Sequence, residues 1–481
     1  MFAAHLDHLA DEARAVLACN PLLAASSAGL PAGRNRLKRR ARYAGTLSAI
    51  ADIKAVAPRA DAFARHFPEL ADGGYRHAER LPGDGKAGPV GLDPYRSSAL
   101  CTWMDGLERG LGWVKSGANA EILEYYLQPD LMDADFIAER QPVRGLACGI
   151  GLLRIETLAA SRMMQPRVAQ CLPDFPSAEY PTVSESDLDA IAEHLDAAVS
   201  LAFAVDPAGT QLLAANLHSL HVGLRHDPLC SFSSSNELPG SAIVILSKER
   251  LRDGDHAATA AQLLHEAGHV LLGLYTTSAA ASLPCDFTYV SPYKNDLQTL
   301  ESILHMAYTI PWECAVRMAC LSLREDPERR AREAAFVIAY ASRQLPLIDI
   351  ARSGLDRLGG DVLSDLPDIA AIPSWNARVL ALVDRLLESE TPERRPAHVA
   401  ERQRVIERQA WDLGQMVLRG RDPIDPRLQS REIDETGESV TLWYDGTRHV
   451  IAKAEYRPTS KDYGRYVELI GSNASMAMEV A

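Results

Sequence analysis

The chain has 481 residues, enough for a large core or two to four domains, and its 47% hydrophobic and 24% charged content excludes global disorder. The formal net charge of −14 disfavours nonspecific binding to nucleic acid, whose phosphates attract Lys and Arg. The eight cysteines are scattered without a Cys-x-x-Cys pair, which excludes zinc-ribbon spacing and predicts buried free thiols rather than a disulfide framework.

Met1–Leu17 carries Asp7, Asp11 and Glu12 among its apolar residues and lacks the basic n-region of a signal peptide. Apolar stretches elsewhere read as too short or too interrupted to cross a bilayer, so the expected location is the cytoplasm, with no membrane partner. The first 200 residues read as mostly helical, with Ala-rich amphipathic runs at Met1–Leu17, Leu47–Phe67 and Asp187–Phe203. Arg34–Arg42 (RNRLKRRAR) is a local basic patch in an acidic chain, read either as a solvated helix face or as a dock for an acidic peptide segment. Leu81–Pro94 is a Gly/Pro-rich connector.

From Leu212 the texture changes. Leu212–Leu224 is apolar and carries His218 and His221, which at that spacing read more readily as core or surface histidines than as ligands. Gly240–Ser247 (GSAIVILS) reads as a short buried strand, and Asp253-Gly254-Asp255 as a turn and helix cap. A helix follows over Ala257–Leu274. Asp286–Ser291 is β-like, and Leu297–Leu323 is a second long helix that Pro311 is expected to kink or split. Helices are expected at Pro327–Arg343, Leu347–Leu358, Ala377–Ser389 and Glu393–Met416. Ser439–Tyr444 and Arg448–Tyr456, joined by Asp445-Gly446, read as a β-hairpin, and Gly471–Ala481 as a frayed tail. The expected fold is mainly α (α+β): a zincin-like helical core with a small sheet beside the motif helix. Three regions are expected: a helical 1–205 with a possible peptide-binding role, a catalytic core 206–360, and a helical 361–481 ending in the hairpin.

The chemistry is concentrated in LLHEAGHVLL. His265 and His269 are four apart, which on a helix stacks both imidazoles on one face, where they can take adjacent positions on one divalent cation. Glu266 lies beside such a metal, and Gly268 leaves room for a close neighbour. A third ligand is needed, and the next helix offers Glu301 or His305, themselves four apart; spacing alone does not choose between them. Two histidines with a downstream Glu suit a zinc peptidase with Glu266 as general base. Three histidines, or two with a carboxylate, suit iron with open positions for a chelating cosubstrate and O2, Glu266 then orienting ligands or substrate.

Pro239-Gly240 to Ser247, Asp255, LLHEAGHVLLGL, VSPYKND and LESILHMAY together resemble a bacterial family of HExxH-motif proteins that modify ribosomally made peptides. The likeness runs from Leu212 to Leu321. It implies an iron(II)- and 2-oxoglutarate-dependent dioxygenase that hydroxylates a side chain, typically at the β-carbon, of a precursor peptide. It implies His265, His269 and His305 as metal ligands, His305 matching the family's Leu-His-x-x-Tyr segment in preference to Glu301. Ser291-Pro292-Tyr293-Lys294 departs from the family segment, which ends in Trp-Arg. An enzyme of this kind needs a cation for the distal carboxylate of 2-oxoglutarate, for which Arg317 is the first candidate and Lys294 the second, with Tyr308 as a possible hydrogen-bond donor. Arg317 also has a structural alternative, a salt bridge to Glu313 one turn before it. The competing readings are a zinc metallopeptidase and a non-catalytic scaffold with a degenerate site. Oligomeric state is left open.

Overall fold

The computed structural model describes residues 2–23, 43–66, 98–127, 143–156, 183–226 and 230–454, apart from short stretches within these ranges such as 235–239 and 294–296. The Arg34–Arg42 patch, the Leu81–Pro94 connector, Lys294 and the Gly471–Ala481 tail lie outside the described residues. Among the described residues helix outweighs strand, 65% to 15%, so this part of the chain is mainly α with small sheets.

The N-terminal half supplies α1 (Phe2–Leu17), α2 (Ala57–His66), α3 (Ser98–Lys115), the short strands β1 (Arg144–Gly145) and β2 (Gly151–Arg154), and α4 (Glu185–Val205). Only a part of the expected Leu47–Phe67 helix is one element, because the chain turns between Ala51 and Ala57. Then come α5 (Pro207–Asn216), β3 (Ser219–Arg225), β4 (Ser231–Ser234), β5 (Ser241–Ser247) and α6 (Lys248–Asp253). The motif helix is α7 (His256–Ser278). After the β6–β7 ribbon (Tyr289–Val290 and Leu297–Gln298) comes α8 (Leu300–Ala319).

One sheet backs the motif helix, in the order β1-β2-β3-β5-β4, with β2, β3 and β5 parallel and both outer strands antiparallel. Alternation explains its faces. Leu220, Val222 and Leu224 of β3, with Ala242, Val244 and Leu246 of β5, join the core that contains α4 and α7. His221 therefore points to the other face, where it is 1% exposed. The sequence pattern showed β5 but not β1 and β2, which are too short to carry a period.

The core does not follow the three expected regions. A single cluster runs from Leu6 of α1 to Leu387 of α12 (Ile372–Ser389), passing through α7, α8, α9 (Pro327–Ser342), α10 (Gln344–Leu358) and α11 (Pro367–Ala370). Trp375 of α12 donates to the carbonyl of Val16, 3.0 Å away, tying the C-terminal part to the first helix. Pro327–Leu358 is long and apolar enough to cross a membrane by length and composition, against expectation, yet 76% of its apolar window is buried inside the protein. A smaller cluster around Tyr43, Trp103 and Leu123 holds the early helices together.

Helix α13 (Arg395–Val417) packs on a three-stranded sheet, β8 (Leu428–Ile433), β9 (Ser439–Tyr444) and β10 (Thr447–Ala452). The expected hairpin is present as β9–β10. Its turn residues Asp445 and Gly446 both have positive φ, 51° and 76°, as a two-residue turn between twisted strands requires.

Pro311 does not split α8; the helix continues for two turns beyond it. Proline removes one N–H and crowds the preceding turn. Here every residue from Met306 to Ala319 is buried, and packing on all sides holds the helix where an exposed one would break.

Candidate metal centre

Helix α7 starts at Asp255, whose Oδ1 accepts the N–H of Ala258 at 3.3 Å, the cap expected from the Asp-Gly-Asp turn. It crosses α8 at Gly268. A Cβ placed there would stand 3.0 Å from Thr309 Cγ2 and 3.1 Å from Trp312 Cε3, so the absence of a side chain lets the two helices approach. Trp312 is fixed in turn by its Nε1–H donating to Asp206 Oδ2 at 2.8 Å. This close crossing brings the motif histidines against α8.

His265, His269 and His305 form one cluster. The Nε2 atoms of His265 and His269 lie 3.1 Å apart, and Nδ1 of His269 lies 2.9 Å from Nδ1 of His305. The rings of His269 and His305 are 22° from parallel. Among the described residues, no three His, Cys, Asp or Glu side chains surround a single point as a metal would require. His305 meets the far nitrogen of the His269 ring rather than entering the gap between His269 and His265.

The motif pair does fit a metal. Two imidazole nitrogens that each lie about 2.0–2.1 Å from one ion stand roughly 2.8–3.4 Å apart, for angles between octahedral and tetrahedral; the observed gap is 3.1 Å. His265 also presents the right face. Its Nδ1 lies 3.0 Å from Glu313 Oε2, a contact that favours a proton on Nδ1 and, in the neutral ring, a lone pair on Nε2. That contact is an ion pair by distance rather than an aligned hydrogen bond. His305 is the nearest further nitrogen donor.

Glu301 stands apart. Its Oε1 accepts from Thr276 Oγ1 at 2.7 Å, and its approach to the cluster is 4.0 Å, to His305 Nε2. Glu266 is 5% exposed, and its Oε2 accepts from Ser234 Oγ of the outer strand β4 at 2.6 Å. Burial pushes its carboxyl above the usual range, while His265 and the Ser234 hydroxyl pull the other way. For His265 burial works against the charged form, but the neighbouring Glu313 outweighs it and the ring is held above its ordinary value.

Arg317 is not available to a cosubstrate. It is 4% exposed, with Nε and Nη2 on Glu313 Oε1 at 3.0 and 2.9 Å, and Nη1 on Glu333 Oε1 at 2.7 Å. Its guanidinium carbon sits 4.4 Å from the centre of the Phe336 ring. The structural alternative weighed for Arg317, a salt bridge one turn back, is the observed arrangement. Tyr308 is a core residue: it is fully buried, donates to Asn20 Oδ1 at 3.1 Å and packs against Trp312 and Trp375. His218 and His221 are not brought to the cluster. His221 has no hydrogen-bond partner on either nitrogen, and burial drives its pKa down to about 3, so it is a neutral core histidine.

Sequence reasoning singled out neither Glu313 nor Ser234 as site residues. Glu313 had a signal. Glu301, His305, Thr309, Glu313 and Arg317 form a polar stripe at every fourth position of an otherwise apolar helix, which puts them along one face. Ser234 had none, because its partner is chosen by the sheet register that sets β4 beside β5.

No family model matches the chain, and no curated protein matches it.

Proposed function

We propose that the protein is an iron(II)- and 2-oxoglutarate-dependent dioxygenase that hydroxylates a side chain of a ribosomally made precursor peptide at the β-carbon. The observation that carries this reading is the company of the motif histidines. His305, the residue an iron site with three histidines needs, touches His269, whereas Glu301, the residue a peptidase needs, is held by Thr276. In this reading His265 and His269 hold the metal through Nε2, and His305, which lies on the Nδ1 side of His269, would have to turn in as the third ligand. Bound iron and 2-oxoglutarate supply O2 activation and C–H hydroxylation. Glu266, buried and bonded to Ser234, orients what binds beside the histidines rather than facing bulk water. With Arg317 and Tyr308 engaged elsewhere, Lys294 remains as the candidate cation for the distal carboxylate. The expected location is the cytoplasm.

The second reading is a zinc-dependent metallopeptidase. It draws on Glu266, a buried carboxyl with raised proton affinity next to the histidines, which suits a general base acting on water. Elemental analysis of anaerobically purified protein, followed by a succinate assay with 2-oxoglutarate and a candidate peptide, separates the two. About one iron per chain with succinate formed is the expected result. Tightly held zinc, no succinate and cleaved peptide would replace the dioxygenase with the peptidase.

A further inference from the structure

A chain of buried charges links the two ends of the same stretch of the motif helix. It starts at Asp255, the cap of α7, whose Oδ1 is 2.8 Å from Arg324 Nη2. Arg324 Nη2 reaches Glu333 Oε2 at 3.2 Å, Glu333 Oε1 holds Arg317 Nη1 at 2.7 Å, and Arg317 holds Glu313 Oε1. Glu313 Oε2 then returns to α7 at His265 Nδ1, 3.0 Å away. Glu313, Arg317 and Glu333 are all under a tenth exposed.

Three features single out Glu313 within this chain. Its two oxygens are divided between partners, Oε1 for Arg317 and Oε2 for His265, so the carboxylate cannot turn without breaking one contact. Arg317 lies one turn further along the same helix, so α8 itself fixes the rotamer. The directly bonded chain has three carboxylates and two guanidiniums. The carboxylate at its far end from Asp255 is the one that meets His265, while Arg250 is a further cation acting on Asp255.

We infer that Glu313 is a positioning residue: through Nδ1 it sets the tautomer and tilt of His265, so that Nε2 faces the metal shared with His269. The inference rests on the metal-site reading above. A ligating histidine whose other nitrogen is held by a carboxylate is a better-oriented and more basic ligand.

The test uses Co(II) as probe, titrated into the full-length protein and followed by its visible d–d absorption, with thermal melting of the metal-free proteins alongside. Glu313→Gln removes the charge at His265. Glu333→Gln perturbs the same buried chain without touching His265, and so reports what general disturbance of the network does. Glu313→Gln is expected to weaken Co(II) binding about 10–100-fold and to alter the absorption band, with Glu333→Gln within about threefold of wild type. Glu313→Asp, which keeps the charge but withdraws it by one methylene, is expected to fall between them and serves in place of the Gln variant if that does not fold. Wild-type binding with Glu313→Gln (or Asp) within about threefold of it, or with Glu333→Gln equally impaired, overturns the positioning role alone. No Co(II) binding by wild type overturns the metal site and this inference with it.

Discussion

Arg317→Met offers a sharp test of how the site is supported. The substitution keeps most of the side-chain volume and removes a guanidinium that is 4% exposed and bonded to Glu313 and Glu333. Two buried carboxylates lose their shared cation. Breaking a buried pair from one side costs about 3–5 kcal/mol, because the orphaned charge stays desolvated. At the shallow end of the usual scaling for large domains this lowers the melting temperature by roughly 6–10 °C. The deficit also depends on pH. Arg317 is the principal cation holding the Glu313 carboxyl down to about 2 against its burial. Without it the folded-state pKa rises, and a group whose folded pKa is raised destabilises least where it is protonated. The gap to wild type should therefore shrink as pH falls through the variant's raised pKa, and close towards about 2, where the wild-type carboxyl protonates as well. Differential scanning calorimetry at several pH values measures both effects. A variant that melts within about 1 °C of wild type at every pH, yet binds 2-oxoglutarate at least tenfold more weakly, would refute this reasoning and return Arg317 to the cosubstrate role.

Other outcomes follow from single contacts. His265→Ala should abolish metal binding and turnover together, read by elemental analysis and succinate release; an active, metal-replete variant removes the central site. Gly268→Ala gains about 1 kcal/mol of helix propensity but drives a methyl to 3.0 Å from Thr309 and 3.1 Å from the fixed Trp312 ring, so a net loss of roughly 1–2 kcal/mol with weakened metal binding is expected in chemical denaturation and Co(II) titration. Ser234→Ala deletes a 2.6 Å hydrogen bond that favours ionised Glu266, so the acid limb of the pH–rate profile should move to higher pH. His221→Phe should flatten the acid side of the stability profile. The wild-type ring is neutral down to about pH 3 when folded but protonates near its ordinary value of 6.5 when unfolded, so its contribution is complete above that value and drains away as pH falls from there towards 3.

What the sequence disclosed was mostly local. The motif helix, its Asp255 cap, strand β5 and the Asp445-Gly446 turn each follow from residues within one turn or strand, and each is present. That His305 lies against His269 was not readable from spacing, which left Glu301 equally open; only the family resemblance singled it out. Long-range partnership was not readable either. Nothing near Arg317 in sequence discloses Glu333, which arrives on the following helix and decides that the guanidinium is structural. The continuity of α8 through Pro311 depends on burial by neighbours that propensity does not see. The joining of the N-terminal helix and the C-terminal helices into the same core as the motif helix is likewise a matter of tertiary packing, as the Trp375–Val16 contact illustrates.

The central claim is that the histidine cluster holds iron in a form that takes 2-oxoglutarate as chelate. The most direct measurement is an anaerobic titration of 2-oxoglutarate into the Fe(II)-loaded protein, watched for a visible metal-to-ligand charge-transfer band. The account predicts a saturable band near one equivalent, absent from His265→Ala. A titration that yields no band, from wild-type protein that instead retains zinc against iron, would contradict it.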